Sequence, residues 1–168
     1  MKVVIVGCGR VGAFLAEGFD AAGHEVIVID MQTTAFDRLP GSFRGSAVRG
    51  NGTDEDVLRR AGAQGADLFL ALTEGDNRNV MAVQVALEGL GVRRAIAKIN
   101  DPVRARAYAD LGIPALCRTT MMADAVFGFL GLPTSGMTPI LAPTGRHDGG
   151  PDHPAWPTAE ELTTTREA

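Results

Sequence analysis

The sequence has few cysteines, lysines and aromatic residues and no long apolar run, and these shortages argue against several classes of protein. Of its 168 residues only two are cysteines and two are lysines, aromatic residues make up 5%, and the formal net charge is −4. Cys8 and Cys117 lack the spacing of metal ligands, so we expect free thiols. A surface that binds a nucleic-acid duplex is expected to be basic, and this composition therefore argues against a nucleic-acid partner. No apolar run approaches a membrane span and no charged leader precedes the first apolar run, which predicts a soluble, cytoplasmic protein.

What the chain does contain is a repeated unit of a short apolar, β-branched run, a turn and an amphipathic segment. The pattern predicts strands over residues 2–6, 25–30, 46–50, 67–72, 95–99 and 115–117. It predicts helices over residues 11–22, 34–39, 54–61, 76–88, 102–111 and 119–130. Strands that alternate with helices indicate right-handed crossovers and a parallel sheet. We therefore predict an α/β fold, a Rossmann-like doubly wound parallel sheet with helices on both faces.

The character of the chain changes after Gly131. Residues 132–168 hold most of the prolines, a glycine-rich run and a threonine-rich end, with little apolar periodicity. We expect one domain over residues 1–131 and a flexible tail over 132–168, with a short helix at 158–162 as an option because Thr158 and Glu161 resemble a capping box. His147 and His153 lie in this tail without cysteine partners, and no metal site is expected.

Three glycines stand where the first strand leads into the first helix. Gly7, Gly9 and Gly12 have the spacing of a G-x-G-x-x-G fingerprint, in which each glycine has a separate task. Gly7 would allow the tight turn, Gly9 would let a pyrophosphate approach the backbone, and Gly12 would let the helix lie close to the sheet. The N-terminus of that helix offers unpaired N–H groups to an anion.

Asp30 ends the second predicted strand, 18 residues after Gly12. A carboxylate at this place can accept hydrogen bonds from both hydroxyls of an adenosine ribose, and it would repel a 2′-phosphate. Asp30 therefore favours NAD or a plain adenine nucleotide over NADP, although a solvated strand end is the alternative.

The chain also resembles a known family. The segments VGCGRVG, GNGTDEDVLRRAGAQGADLFLALTEGDNRNVMAVQVA and AIAKINDP look like the Trk regulatory protein N-terminal family, also called the RCK or KTN domain, over about residues 1–130. This resemblance implies that the protein binds NAD(H), ATP or ADP at the carboxyl edge of the sheet. It also implies a regulatory subunit of a potassium-uptake transporter or channel, in a homodimer or a larger symmetric ring. Such a protein would lie in the cytoplasm, or on the inner face of the membrane through its partner.

The resemblance assigns roles to individual residues. Residues 7–11 would cradle the phosphates, Asp30 would hold the ribose with Met31 beside it, and Lys98 would supply a cation. Residues 51–54 would flank the adenine, and Thr73 and Glu74 would close over the phosphate or the second nucleoside. The expected nucleotide-binding residues are Gly7, Cys8, Gly9, Arg10, Val11, Gly12, Asp30, Met31, Asn51, Gly52, Thr53, Asp54, Thr73, Glu74, Asn79 and Lys98. Many relatives carry an acid where Asn51 stands, and an amide can still pair with the amino edge of adenine.

Several of these residues have a simpler interpretation. Asp54 is also a good N-cap, Thr73 could merely start a helix, and Asn79 could be a solvated polar residue. Lys98 could be a surface charge at a strand end, and Cys8 could be a small filler of the turn. Met121 and Met122 read as an apolar helix face, with a dimer contact as the alternative.

An enzymatic role is not expected. A dehydrogenase needs further residues that bind substrate and move a proton beside the nicotinamide, and the strand–helix units use up the chain to about residue 130. The chain also has no G-x-S-x-G elbow and no G-x-x-x-x-G-K-[ST] loop. We therefore expect a nucleotide sensor that changes the state of a membrane partner. A small NAD-dependent oxidoreductase and a nucleotide-binding scaffold without a transport partner are the alternatives.

Overall fold

Six strands form one parallel sheet in the computed structural model, which describes residues 1–134. The strands are β1 (Lys2–Val6), β2 (Glu25–Asp30), β3 (Ser46–Arg49), β4 (Leu68–Ala71), β5 (Ala95–Ile99) and β6 (Ala115–Cys117). The helices are α1 (Arg10–Ala21), α2 (Glu55–Arg60), α3 (Asp76–Gln84), α4 (Pro102–Asp110) and α5 (Arg118–Phe129). The predicted fold class is confirmed. The suggested helix at 158–162, His147, His153 and nearly all of the predicted tail lie outside the described residues.

The strand order is β3-β2-β1-β4-β5-β6, and all the pairings are parallel. The chain builds outward from β1 to β3 and then returns to place β4 on the other side of β1. The carboxyl ends of parallel strands all lie at one edge of the sheet. At this reversal of the strand order, the chain after β1 turns toward one face of the sheet and the chain after β4 turns toward the other. A crevice forms at such a point, which is where ligands bind in open α/β sheets.

The two faces of the sheet have separate cores because successive residues of a strand point to opposite sides. Val3 and Ile5 of β1 belong to the core that includes residues of α1, whereas Val4 and Val6 belong to the core that includes residues of α2, α3 and α4. Strands covered on both faces must be apolar where they are covered, as residues 3–6 of β1 and all of β4 are. This requirement explains why the strands were predictable.

Two helical segments differ from the prediction. The segment expected as a helix at 34–39 is a 3₁₀ helix, Thr33–Arg38. Two threonines at its start and Pro40 just past its end disfavour a longer α-helix. The helix expected at 76–88 ends at Gln84 and continues as a π-helical turn, Val85–Gly89. Most of the other boundaries agree within one residue.

Helix α5 buries little of itself against the sheet, and Thr120 is its buried residue. Its large apolar side chains are exposed: Met121, Met122, Val126, Phe127 and Phe129. The apolar face expected from the sequence is therefore present, and among residues 1–134 it is exposed. Among residues 1–134, no helix has both the length and the apolar character needed to cross a bilayer.

Candidate functional site

A cleft of about 710 Å³ opens at the carboxyl edge of the sheet, beside the reversal between β1 and β4. It is bounded by the turn after β1, the segment after β2, and the loops after β3 and β4. The cleft is lined by Val6, Gly7, Cys8, Gly9, Arg10, Ile29, Asp30, Met31, Gln32, Ala35, Arg38, Gly50, Asn51, Gly52, Leu72, Thr73, Glu74 and Arg78. Four separated stretches of sequence thus meet where the sequence predicts a nucleotide.

The three glycines of the first turn have three different environments. Gly7 has φ +102°, and a Cβ there would come within 3.0 Å of the Thr73 backbone nitrogen. A Cβ at Gly12 would overlap the carbonyl oxygen of Gly7, because α1 crosses the turn so closely. A Cβ at Gly9 would have no heavy atom within 4 Å. Gly7 and Gly12 are therefore required by the fold, whereas Gly9 faces open space in the cleft.

Helix α1 begins directly at the cleft. Gly9 is its N-cap and provides no side-chain cap, and no acidic side chain stands in the first turn. The first N–H groups of a helix have no partner within it and carry a partial positive charge. Arg10 adds a full positive charge at the same place. Val11 and Gly12 belong to this first turn without lining the cleft, and their contribution would come from the main chain.

The carboxylate of Asp30 joins the first turn to the segment after β2. Its Oδ2 accepts a hydrogen bond from the Cys8 N–H at 2.8 Å, and its Oδ1 accepts one from the Gln32 N–H at 2.9 Å. A carboxylate has about four acceptor sites, so two remain for ribose hydroxyls. Asp30 is therefore more than a solvated strand end, because it already orders two sides of the cleft.

Cys8 contributes its backbone to the cleft while its side chain lies in the core. Burial raises the pKa of the Cys8 thiol, the negative charge of Asp30 raises it further, and Arg38 opposes both. A thiol that is kept protonated is a poor nucleophile. These surroundings agree with a small filler of the turn.

The loop after β3 adds two further glycines, Gly50 and Gly52, to the lining of the cleft. A Cβ at Gly52 would overlap the Val6 side chain, and one at Gly50 would overlap Val57. Asn51 Oδ1 accepts hydrogen bonds from the Thr53 N–H at 3.2 Å and the Thr53 hydroxyl at 3.0 Å. The loop is thereby held against β1 with Asn51 at the cleft.

Two residues expected beside the adenine lie outside the lining. Thr53 bonds to Asn51, and Asp54 caps α2 by accepting the Val57 N–H at 3.1 Å. The simpler interpretation of Asp54 as an N-cap therefore describes its contacts.

Asn79 is a buried residue beneath the cleft. Its Oδ1 accepts from the Thr73 N–H at 2.9 Å and from the Thr73 hydroxyl at 2.6 Å. Its Nδ2 donates to the carbonyls of Thr73 at 2.9 Å and of Lys98 at 2.7 Å. With 0% of its surface exposed, Asn79 has no face left for a ligand and is not a solvated residue. It positions Thr73 by tying the end of β4 to β5.

Lys98 and Glu74 form an ion pair at the same edge. Lys98 Nζ lies 3.0 Å from Glu74 Oε1, and the lysine side chain is 9% exposed whereas that of Glu74 is 83% exposed. The hydrogen bond and charge of Lys98 lower the pKa of Glu74, and the charges of Arg118 and Arg10 lower it further. Lys98 is therefore not a surface charge, and its ammonium faces a carboxylate.

Asp76, the first residue of α3, fastens the loop after β5. Burial alone would raise the pKa of Asp76, but hydrogen bonds from the Asn100 and Asp101 backbones and from the Asn100 side chain outweigh it and lower the pKa. The bonds from Asn100 are 2.9 Å from its N–H and 2.8 Å from its Nδ2.

Three polar residues of the cleft were missed from the sequence: Gln32, Arg38 and Arg78. Arg38 ends the 3₁₀ helix after β2, and Arg78 lies on the first turn of α3. First turns that follow the strands point at the carboxyl edge of the sheet, and that rule could have identified Arg78. Together with Arg10, Arg38 and Arg78 give the cleft three arginines, which suits an anionic ligand.

Within residues 1–134, no group of three or more His, Cys, Asp or Glu side chains is arranged to hold a metal ion.

A family model and a curated relative both indicate the same family for this chain. The model of the TrkA-N domain family matches residues 3–119. The Trk system potassium uptake protein TrkA of Streptomyces coelicolor is 47% identical over 146 residues, which make up 86% of this chain and 65% of that protein. The chain thus spans less than two thirds of this relative.

Solved structures of low identity share the fold. The TrkA-N domain of inner membrane protein ybaL from Escherichia coli superposes with a TM-score of 0.68 at 22% identity, covering 77% of this chain and 96% of that one. The GsuK channel bound to NAD superposes with a TM-score of 0.61 at 18% identity, covering 76% of this chain and 23% of the channel chain.

Proposed function

The chain belongs to the TrkA-N domain family, and from that premise we propose that it is the nucleotide-binding regulatory part of a potassium-uptake transporter or channel. The observation that carries the proposal is the cleft itself, in which an open glycine at the start of α1 stands beside the carboxylate of Asp30. The name of the Streptomyces coelicolor relative supports the link to potassium uptake.

The ligand is NAD(H) or an adenine nucleotide such as ADP or ATP. Its phosphates would lie over Gly9 and receive hydrogen bonds from the first N–H groups of α1, with Arg10 and Arg78 beside them. The ribose would donate to the two open acceptor sites of Asp30. A 2′-phosphate would meet that carboxylate, so NADP is disfavoured. The GsuK channel, which shares the fold, was solved with NAD bound, and this supports a dinucleotide as the ligand.

Asn51 would contact the base. Its Oδ1 is occupied by Thr53, which leaves the Nδ2 group as a donor toward a ring nitrogen of adenine. Asn51 lies near Asp30 at the edge of the sheet because β2 pairs with β3. In that pairing Asp30 stands opposite Arg49, two residues before Asn51.

The role of the bound nucleotide is regulatory and not catalytic. Occupancy would change the relative stability of two subunit arrangements, and the membrane partner would respond to that change. The coupling is limited by the difference in affinity of the nucleotide for the two arrangements. A tenfold difference provides about 1.4 kcal/mol per site, so a symmetric assembly with several sites would strengthen the response.

The exposed apolar face of α5 is where we place a contact between copies of the chain. Phe129 is 89% exposed and Met122 is 68% exposed, which is unusual for large apolar side chains that share one helix. The assembled protein would lie at the inner face of the cell membrane, held there by its transporter.

Calorimetry on the full chain, freed of ligand by unfolding and refolding, tests the proposal. We expect binding of NADH, ADP or ATP, and a loss of about tenfold to a hundredfold in affinity on Asp30→Ala, because charged hydrogen bonds to the ribose are lost. Asp37→Ala removes an exposed carboxylate seven residues further along and should leave the affinity unchanged. Absence of binding for all three nucleotides would overturn the proposal.

A further inference from the structure

Glu74, which lines the cleft, and Lys98 connect the loop after β4 to β5. The ammonium of Lys98 is largely buried, and a buried charge needs a nearby opposite charge. Glu74 provides that charge at 3.0 Å. As long as the pair persists, Lys98 is neutralised from within the protein and is not free to neutralise a phosphate.

The carboxylate of Glu74 itself remains at the surface of the cleft. It lines the cleft together with Gly9, Arg10 and Arg78. The loop that carries it lies against the first turn, because a Cβ on Gly7 would come within 3.0 Å of the backbone nitrogen of Thr73. Arg10 and Arg118 attract the carboxylate from further away, in addition to Lys98. A negative side chain therefore occupies a region of positive potential, in the place to which the outermost phosphate of a nucleotide would be drawn.

Nucleotides differ in how much negative charge they bring to this place. In an adenine dinucleotide each of the two bridging phosphates has one ester bond and one anhydride bond, and each carries one negative charge. ADP and ATP end in a free phosphoryl group that carries additional charge. A fixed carboxylate nearby would oppose a terminal phosphoryl group more strongly than a bridging phosphate, because the repulsion grows with the charge and falls with distance.

We propose that Glu74 is a specificity-determining residue that disfavours ligands with a free terminal phosphoryl group, so that the cleft prefers an adenine dinucleotide to ATP. This inference rests on the proposed function and specifies the ligand class of the same site. Selectivity would come from a repulsive group placed against the competing ligand. Lys98 holds that group in place and gives it a fixed position.

The test compares affinities for ATP and NADH, measured by calorimetry on the full chain in magnesium-free buffer. Glu74→Gln removes the charge and keeps the shape of the side chain. The control, Glu25→Gln, makes the same change of charge at the first residue of β2, on the opposite edge of the sheet. We expect ATP to gain about threefold to tenfold relative to NADH in Glu74→Gln and to show no relative gain in the control.

Thermal unfolding of each variant reports whether Lys98 tolerates the loss of its partner. Should Glu74→Gln fail to fold, Glu74→Ser removes the same charge and leaves room for water beside the ammonium, and the same gain for ATP is expected. If the affinity for ATP relative to NADH is unchanged or lower in the folded variant, this inference is overturned and the proposed function is not. A wild-type chain that binds neither nucleotide would overturn the proposed function, and this inference with it.

Discussion

Replacing Gly9 by alanine adds one methyl group where the phosphates are expected and disturbs little else. The backbone of Gly9, at φ −77° and ψ −172°, is extended and open to any residue, and a Cβ would meet no heavy atom within 4 Å. Alanine is a weaker N-cap than glycine by roughly 0.5–1 kcal/mol, and it reduces the entropy of the unfolded chain by roughly 0.4–1 kcal/mol. These effects nearly cancel, so the free energy of unfolding should change by less than about 1 kcal/mol.

Binding should respond much more strongly. A methyl group at Gly9 keeps a phosphate from approaching the first N–H groups of α1, and losing one hydrogen bond to a charged group costs about 1.5–3 kcal/mol. The dissociation constant for NADH should therefore rise by about tenfold to a hundredfold. Gly18→Ala is the matched control, because Gly18 is an exposed residue of the same helix with no heavy atom near its Cβ position.

The assay is calorimetry for affinity and chemical denaturation for stability, on all three proteins. Gly18→Ala should gain about 0.5–1 kcal/mol in stability, since alanine is the better helix former, and should bind as wild type does. Gly9→Ala with undiminished affinity would refute the reasoning, because it would mean that the phosphates do not lie at the start of α1.

Three further predictions concern the scaffold of the cleft. Gly12→Ala should destabilise the chain by about 1–3 kcal/mol in denaturant unfolding, because its Cβ would overlap the carbonyl of Gly7; equal stability would contradict the close crossing. Asn79→Ala should cost about 2–4 kcal/mol, since the four hydrogen bonds of a buried amide are lost. Asn77→Ala, which loses one exposed hydrogen bond from the Tyr108 hydroxyl, should cost about 1 kcal/mol or less. The pKa of Asp76 is lowered in the folded protein, so the ionised carboxylate stabilises the fold fully above the ordinary pKa of 3.8. This stabilisation is lost as the pH falls through the lower pKa of the folded state. In an acid titration, the stability of Asp76→Asn should therefore fall less steeply than that of the wild type.

The sequence carried enough information for the sheet and the first turn. Strands buried on both faces must be apolar along their buried stretch, and the apolar runs of β1, β2 and β4 made these strands predictable. The spacing of Gly7, Gly9 and Gly12 fits the close crossing of α1 over the first turn. The family resemblance stated from the sequence is confirmed by the match over residues 3–119.

Side-chain partners were less accessible from sequence, because they depend on which loops meet. Glu74 and Lys98 are separated by 24 positions, and their pairing follows from the adjacency of β4 and β5. Asn79 was expected at the nucleotide, with a solvated polar residue as the alternative, yet its helical turn lies over the ends of two strands and its amide is enclosed. Arg38 is an exposed arginine at the end of a short 3₁₀ helix, where sequence alone gives no sign that it faces a cleft. Arg78 is different, because its position in a first helical turn after a strand could have identified it.

The most direct measurement is a crystal structure of the full chain grown with NADH. It should contain the diphosphate within hydrogen-bonding distance of the N–H groups at the start of α1, with the adenosine ribose on the carboxylate of Asp30. A dinucleotide bound elsewhere on the protein, with this cleft filled only by solvent, would contradict the account.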